Sequence, residues 1–521
     1  MLYVSILVEL LRSRPALMVW LAALAQALLW LLVPVLFYSG PPGDLPIVIA
    51  IGHEFQLGSY LGPPLAYWLA ELAFDAAGHS LIGVYLLSQA CIVITYWAVF
   101  LLGRSIVGPQ HAALAVLLMV GIAAFTVPSP DFGPAILAVP LWALVLLHYW
   151  RAVGEARRGY WLPLAIEMGF LMLTTYLGVM LLVLVVLFTL INEHARRVLK
   201  SYDPFIAIAI AVLVAMPHLL WLAQSIGSFL HIPAGMRMPS AVFGTFASWI
   251  RQLALIAAAQ AGLLVLVGLV AGWPWPRQDP APVIVRQPAP AFARQFVYFF
   301  ALVPAFAGTL LAVILGSTGP AAGIGALIVL SGLAVVLAAG DSITLTRQHI
   351  VIAAWFGLLL VPPIMAAAAV LFLPWLDIDL RVGQPAQAIA RFFSDSFTRR
   401  TNLPLRIVGG DSRTAALISI GAASRPSLFF DTAPERSPWV GPDALKNKGA
   451  ILVWPATGTA GMPPPALAER YSELVPELPR AFERRVQGRL PLLRIGWALL
   501  RPQSEEAPPR PGEIGSNPAS R

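Results

Sequence analysis

Cysteine occurs once in the 521 residues, at Cys91 inside an apolar run, so the chain can form no internal disulfide and no cysteine-rich metal site. A lone cysteine in such a run reads as a small packed core residue. Charge is also scarce. Only 12% of residues are charged against 58% hydrophobic, about half the charged share of an ordinary soluble chain. Lysine is nearly missing, occurring only at 200, 446 and 448. Alternating strands of barrel length are absent, which disfavours a membrane β-barrel. The Gly-rich run 316–325 has no P-loop lysine and reads as helix punctuation. Neither a zinc spacing, an EF-hand nor a nucleophile elbow is visible, so no metal site is assigned and metal dependence stays open. The net charge of +8 invites a nucleic-acid partner. The basic residues, however, fall in short clusters between apolar segments, which is how cytoplasmic loops look under the positive-inside rule, and no nucleic acid is expected.

What the chain has instead is long apolar runs, several of them long enough to cross a bilayer as helices. The hydropathy pattern places about eleven spans, near 16–38, 81–103, 110–127, 133–150, 160–175, 177–192, 204–222, 245–272, 295–317, 320–340 and 350–376. The first run reaches Tyr38, too far for a cleaved signal peptide. Arginine-rich loops follow the second, fourth, sixth and eighth spans, and Arg12 and Arg14 precede the first. Putting all of these in the cytoplasm satisfies one rule at once. The segment 39–80, the turn 128–132, the turn 175–177, the loop 223–244 and the C-terminal region then face outward. The architecture expected is an all-α polytopic membrane domain, 1–376, followed by a small α/β domain, 377–501, and a disordered tail, 502–521.

Within the first outer loop, the Pro63-Pro64 pair starts a helix. Leu65, Trp68, Leu69 and Leu72 share one face, with Glu71 and Asp75 on the other. Such a pattern suits a helix lying on the outer membrane surface.

Three stretches resemble one known family. The loop opens on Asp44 and runs through Gly58-Ser59-Tyr60 to Pro63-Pro64-Leu65-Ala66-Tyr67-Trp68-Leu69; Pro128-Ser129-Pro130-Asp131 and Pro217-His218-Leu219-Leu220-Trp221, followed by Phe229 and His231, come later. Their order, spacing and common side resemble the GT-C glycosyltransferases of the family 39/83 type, which includes protein O-mannosyltransferases and lipid A aminoarabinose transferases. The resemblance covers roughly residues 1–270. Two positions depart from the family pattern: Leu45 stands where an acidic residue is usual, and Thr174-Thr175-Tyr176 where Ser-Lys-Tyr is common. Arginine is an able phosphate partner, so Arg237 and Arg251 are candidates to replace the lysine.

The resemblance implies a sugar transferase in the inner membrane that uses a polyprenyl-phosphate sugar and modifies a lipid, glycan or protein acceptor of the cell envelope. Asp44 is the candidate base and Asp131 a carboxylate that shapes the site. Arg251, Arg237, Glu54, His53, Tyr60 and Tyr176 are the candidate substrate-binding residues. No cofactor beyond the lipid-linked donor is implied. Plainer roles exist for several of these: Asp44 as a turn residue, Asp131 as a helix cap, His218 as a packing residue and Arg251 as an interfacial arginine. Glu167, in an apolar helix, is a functional candidate by position or a carboxylate reaching the cytoplasmic edge. Asp411 and Asp431, at strand ends in the C-terminal region, read equally as ligands or turn residues. The alternative to a transferase is a non-catalytic protein on the same scaffold that binds or transports lipid-linked glycans.

Overall fold

The computed structural model describes residues 2–229, 242–271, 283–315, 323–344, 348–430, 434–441, 443–456, 461–471 and 474–502. The chain divides into two compact units, Met1–Leu373 and Pro374–Arg521.

The first unit is helical. Among the described residues six helices are long and apolar enough to cross a membrane: Pro15–Phe37, Leu81–Val107, Pro134–Gly154, Asp203–Ser225, Ala291–Ile314 and Gln348–Leu376. Two bent pairs, Leu177–Ile191 with Glu193–Lys200 and Phe246–Ala259 with Ala261–Val270, raise this to eight if each is one span. The difference from the eleven spans of the hydropathy reading lies in short helices. Pro109–Met119 and Ile324–Ala338 are apolar but short, and Trp161–Met172 has only 12 residues. Gly108, at φ +81, makes the sharp turn between Leu81–Val107 and Pro109–Met119. Glycine adopts that backbone readily, and Pro109 presets the first turn of the next helix.

Burial separates centre from rim. The helix Pro134–Gly154 has 78% of its apolar window buried, while Gln348–Leu376 has 17%. An apolar helix with so little of itself covered by protein is built to face lipid. Trp30, Tyr96, Phe100 and Trp142 are buried on Pro15–Phe37, Leu81–Val107 and Pro134–Tyr149, the second of which packs against both of the others. Prolines interrupt five of the six spans, at Pro34, Pro140, Pro217, Pro304 and the pair Pro362-Pro363. Membrane helices tolerate them because neighbouring groups re-satisfy the freed carbonyls. A two-stranded antiparallel ribbon, β1 (Val283–Val285) with β2 (Ser342–Thr344), joins helices on the arginine-rich side. Beside it the buried Arg286 pairs with Asp341 at 3.0 Å and donates to Gly340 O.

The second unit is a mixed α/β fold. Its strands are β3 (Ile407–Gly410), β4 (Ser427–Phe429), β5 (Ala450–Pro455), β6 (Pro476–Phe482) and β7 (Leu493–Leu500), in the order β4-β3-β5-β7-β6. The first three are parallel, and β7 and β6 add antiparallel. Helices Ala386–Thr401 and Ser412–Gly421 pack together, and Phe393 of the former meets Trp497 of β7 at 5.6 Å. Asp411 caps the Ser412 helix, its carboxylate accepting from Thr414 N at 2.9 Å. A capping role accounts for this aspartate. Asp431 and the tail 503–521 lie outside the described residues.

Candidate functional site

The loop 38–64 is built around two tight turns. In the first, Gly43 sits at φ +44 and leads into Asp44. Asp44 occupies the N-cap position of helix Leu45–Gly52, yet its side chain makes no cap hydrogen bond. Its carboxylate is exposed instead. Local turn bonding therefore does not account for this residue.

Asp131 comes from a different part of the chain. Its turn closes through Asp131 N to Pro128 O at 3.0 Å. The turn is fixed from within the bundle: Gln89 Nε2 donates to Ser129 Oγ at 3.2 Å, and the Ser88 hydroxyl donates to Ser129 O. Gln26 extends the support, donating to Phe125 O at 2.8 Å while accepting from the Tyr96 hydroxyl at 2.9 Å. Asp131 does not cap the helix Pro134–Tyr149, whose N-cap is Gly133. Its carboxylate lies against the α-carbon of Gly43, so closely that a β-carbon there would collide with it. The structure thus brings the turn of Asp44 and the carboxylate of Asp131 together. Tyr38 joins them. Burial pushes its phenol pKa up, and the nearby charge of Asp131 adds to the rise.

The second turn pairs Ser59 with Gly62, N to O at 3.1 Å and 3.0 Å. It packs against the buried Tyr67. Burial, then Tyr60, push the Tyr67 phenol well above its ordinary range; Tyr176 and Asp44 add to this, and a hydrogen bond with Ser59 opposes it. Tyr67 is accordingly a proton-bearing phenol at neutral pH, surrounded by Ser59, Tyr60, Tyr176 and Asp44. Nothing in the sequence pattern singled it out beyond its place in the Pro-Pro-Leu stretch. Leu65 N donates to Leu173 O at 2.9 Å, which ties this loop to the Thr174–Tyr176 turn. His218 Nδ1 donates to Leu57 O at 3.0 Å. Its ring stacks on Trp221 at 5.6 Å and meets Tyr176 at 5.8 Å. So His218 anchors the loop from helix Asp203–Phe229.

One sequence expectation reverses here. Helix Leu65–Ala76 buries Ala66, Tyr67, Ala70, Glu71 and Phe74. Leu72 is the exposed one, and Glu71 is fully buried. Of the polar-looking face Asp75 stays exposed, while Glu71 packs inward because the end of helix Leu45–Gly52 supplies its partner: His53 Nδ1 donates to Glu71 Oε1 at 2.8 Å. His53 is therefore a packing partner of Glu71. Glu71→Ala should lower stability by about 2–3 kcal/mol, because it strips a buried hydrogen-bonded partner and leaves a void. Glu71→Gln should recover most of that. An unchanged thermal midpoint for the alanine variant would count against the pair. Glu54 is half-buried on the same loop. Glu167 finds a similar partner, His148 Nδ1 donating to its Oε2 at 2.7 Å.

Arg251 is exposed on helix Val242–Ala259, which packs mainly on Ala291–Ile314. No described contact draws it to the aspartates. Arg237 and His231 lie outside the described residues. Among the described residues no group of three or more His, Cys, Asp or Glu side chains is placed to hold a metal ion.

Comparison with known proteins bears on this same region. Residues 62–221 match the family of dolichyl-phosphate-mannose-protein mannosyltransferases. The matched stretch runs from the Ser59–Gly62 turn to Trp221, and so contains Tyr67, Asp131, Tyr176 and His218. The match takes in less than a third of the chain. Among solved structures, ArnT from Cupriavidus metallidurans in the apo state is similar at 13% identity and a TM-score of 0.45, covering 92% of this chain and 97% of that one. The Archaeoglobus fulgidus oligosaccharyltransferase, in complex with zinc and sulfate, gives 13% identity and a TM-score of 0.42, covering 84% of this chain and 67% of that one. No curated protein matches the chain.

Proposed function

We propose that this protein transfers a sugar from a polyprenyl-phosphate donor to a cell-envelope acceptor at the outer face of the inner membrane. The observation that carries the reading is the contact of the Asp131 carboxylate with Gly43, which joins the turn of Asp44 to a carboxylate from a distant part of the chain. In this scheme the acceptor hydroxyl oxygen attacks the anomeric carbon of the donor. The bond from that carbon to the phosphate oxygen breaks, its electron pair leaves with the lipid phosphate, and the configuration inverts. Asp44 takes the hydroxyl proton. Asp131, held by Ser88, Gln89 and the turn it closes, fixes the loop and the field around it. Arg251 and Arg237 balance the leaving phosphate, the task that lysine serves elsewhere in the family. The α/β domain, 377–501, is extracytoplasmic in this reading.

The test is release of polyprenyl phosphate by the purified full-length protein from a panel of lipid-linked sugars, with nucleotide sugars in parallel. Release from at least one lipid donor, and from no nucleotide sugar, is the expected result. Tight binding of a lipid donor without release from any would replace this reading with the binding or transport one. Leu45 and Thr175, the two departures from the family pattern, are where that outcome would be traced.

A further inference from the structure

At the arginine-rich end of the first unit, the chain turns sharply. Helix Leu177–Ile191 and the segment Glu193–Lys200 meet at 94°. Asn192 locks the elbow: its Oδ1 accepts from His194 N at 3.0 Å and Ala195 N at 3.2 Å, and its Nδ2 donates to Gln295 Oε1 at 2.5 Å. The segment after the bend therefore leaves the line of the span. Between the elbow and helix Ala291–Ile314 lies an open cavity of about 620 Å³, within the size range of pockets that take small organic ligands.

The lining of this cavity is divided. One side is aromatic: Phe188, Phe292 and Phe299, with Phe188 at 5.9 Å from Phe292 and 5.1 Å from Phe299. These rings belong to two apolar helices, Leu177–Ile191 and Ala291–Ile314. The other side carries Asn192, His194 and Arg197. The His194 ring packs on Phe292 at 4.5 Å, joining the two halves. Arg196 and Lys200 flank Arg197 on the bent segment outside the lining, and all three are exposed. Within the lining itself Glu193 is the one carboxylate and Arg197 the one arginine.

A soluble anion would use only the polar half. An apolar molecule would use only the rings. We infer that the elbow cavity binds the phosphodiester headgroup of an anionic membrane phospholipid, with Arg197 on the phosphate and the phenylalanines against the glycerol and first methylenes. Basic pockets between helix ends on the cytoplasmic side suit such lipids by charge and depth. Arginine fits phosphate geometry through its planar fork. This site is separate from the Asp44–Asp131 region and stands whether or not sugar transfer is found.

The experiment is thermal unfolding of the full-length protein in nanodiscs of phosphatidylcholine with and without phosphatidylglycerol, and in detergent with inorganic phosphate. The expected result is a midpoint several degrees higher with phosphatidylglycerol, lost in Arg197→Gln and kept in Arg197→Lys. Inorganic phosphate should do little. Lys200→Gln, a change outside the cavity lining, should keep the lipid response. Loss of that response in Lys200→Gln as full as in Arg197→Gln would reduce the effect to general surface attraction and overturn the pocket. Equal stabilisation by inorganic phosphate would overturn the lipid as ligand, and so would an unaltered response in Arg197→Gln.

Discussion

Asp44→Asn lowers the turnover number for sugar transfer by about 10² to 10⁴, the range over which a positioned general base contributes, and leaves KM within a few-fold. Asparagine keeps the size of the side chain and its hydrogen-bonding reach, so acceptor binding survives while proton removal does not. The structure makes this a clean experiment. The Asp44 carboxylate is exposed and caps no helix, so its loss should not shift the unfolding midpoint. Steady-state rates of polyprenyl phosphate release, with a melting curve for the variant, check both halves. Full turnover in the variant would remove Asp44 from the chemistry and leave the base to be found elsewhere. A large fall in the midpoint would mean that the aspartate holds the loop.

Gly43→Ala costs about 10² in transfer rate without touching either carboxylate. The substitution is burdened twice. Its backbone sits at φ +44, where a β-carbon adds on the order of 1–2 kcal/mol of strain, and that β-carbon would occupy the space of the Asp131 carboxylate. Relief requires the two turns to part. A displacement of about 1 Å is enough for a loss of this size when the reaction depends on alignment. Gly78→Ala is the matched control, because that glycine also has a left-handed backbone, at φ +67, and open space surrounds it. Comparing the rates of the two variants separates a specific contact from a general intolerance of alanine. A Gly43→Ala enzyme with wild-type rates would show that the contact of Asp131 with the Asp44 turn has no part in catalysis.

The membrane nature of the chain was plain in its sequence because hydropathy is additive along a run. No tertiary knowledge is needed to see that Pro15–Phe37 or Gln348–Phe372 is apolar. Motif order pointed to the same family whose model matches residues 62–221, a stretch that takes in Pro63 and Asp131 but not Asp44. What the sequence concealed has definite physical causes. Amphipathic reasoning put Glu71 outward because it assumes water outside. Here the exposed side of the helix Leu65–Ala76 bears Leu72, while Glu71 turns in to His53, a residue on another helix. The contact of Gly43 with Asp131 joins two distant loops through a bundle whose packing no local pattern encodes. Strand β6 was hidden by Pro476 and Pro479, which break a strand pattern yet are tolerated at the sheet edge where β6 lies. The elbow at Asn192 was hidden too, because the run up to Ile191 and the basic residues after it look like any span and its loop.

Cys91 is buried to 2% exposure among packed helices, and it is the only thiol in the chain. The natural protein is therefore already close to a cysteine-free background for site-directed labelling. A thiol introduced at an exposed position such as His79 or Lys200 becomes the sole accessible thiol. Membrane-impermeant maleimides can then report the sidedness of each loop one residue at a time, on a protein whose own residues have not been rebuilt for the purpose.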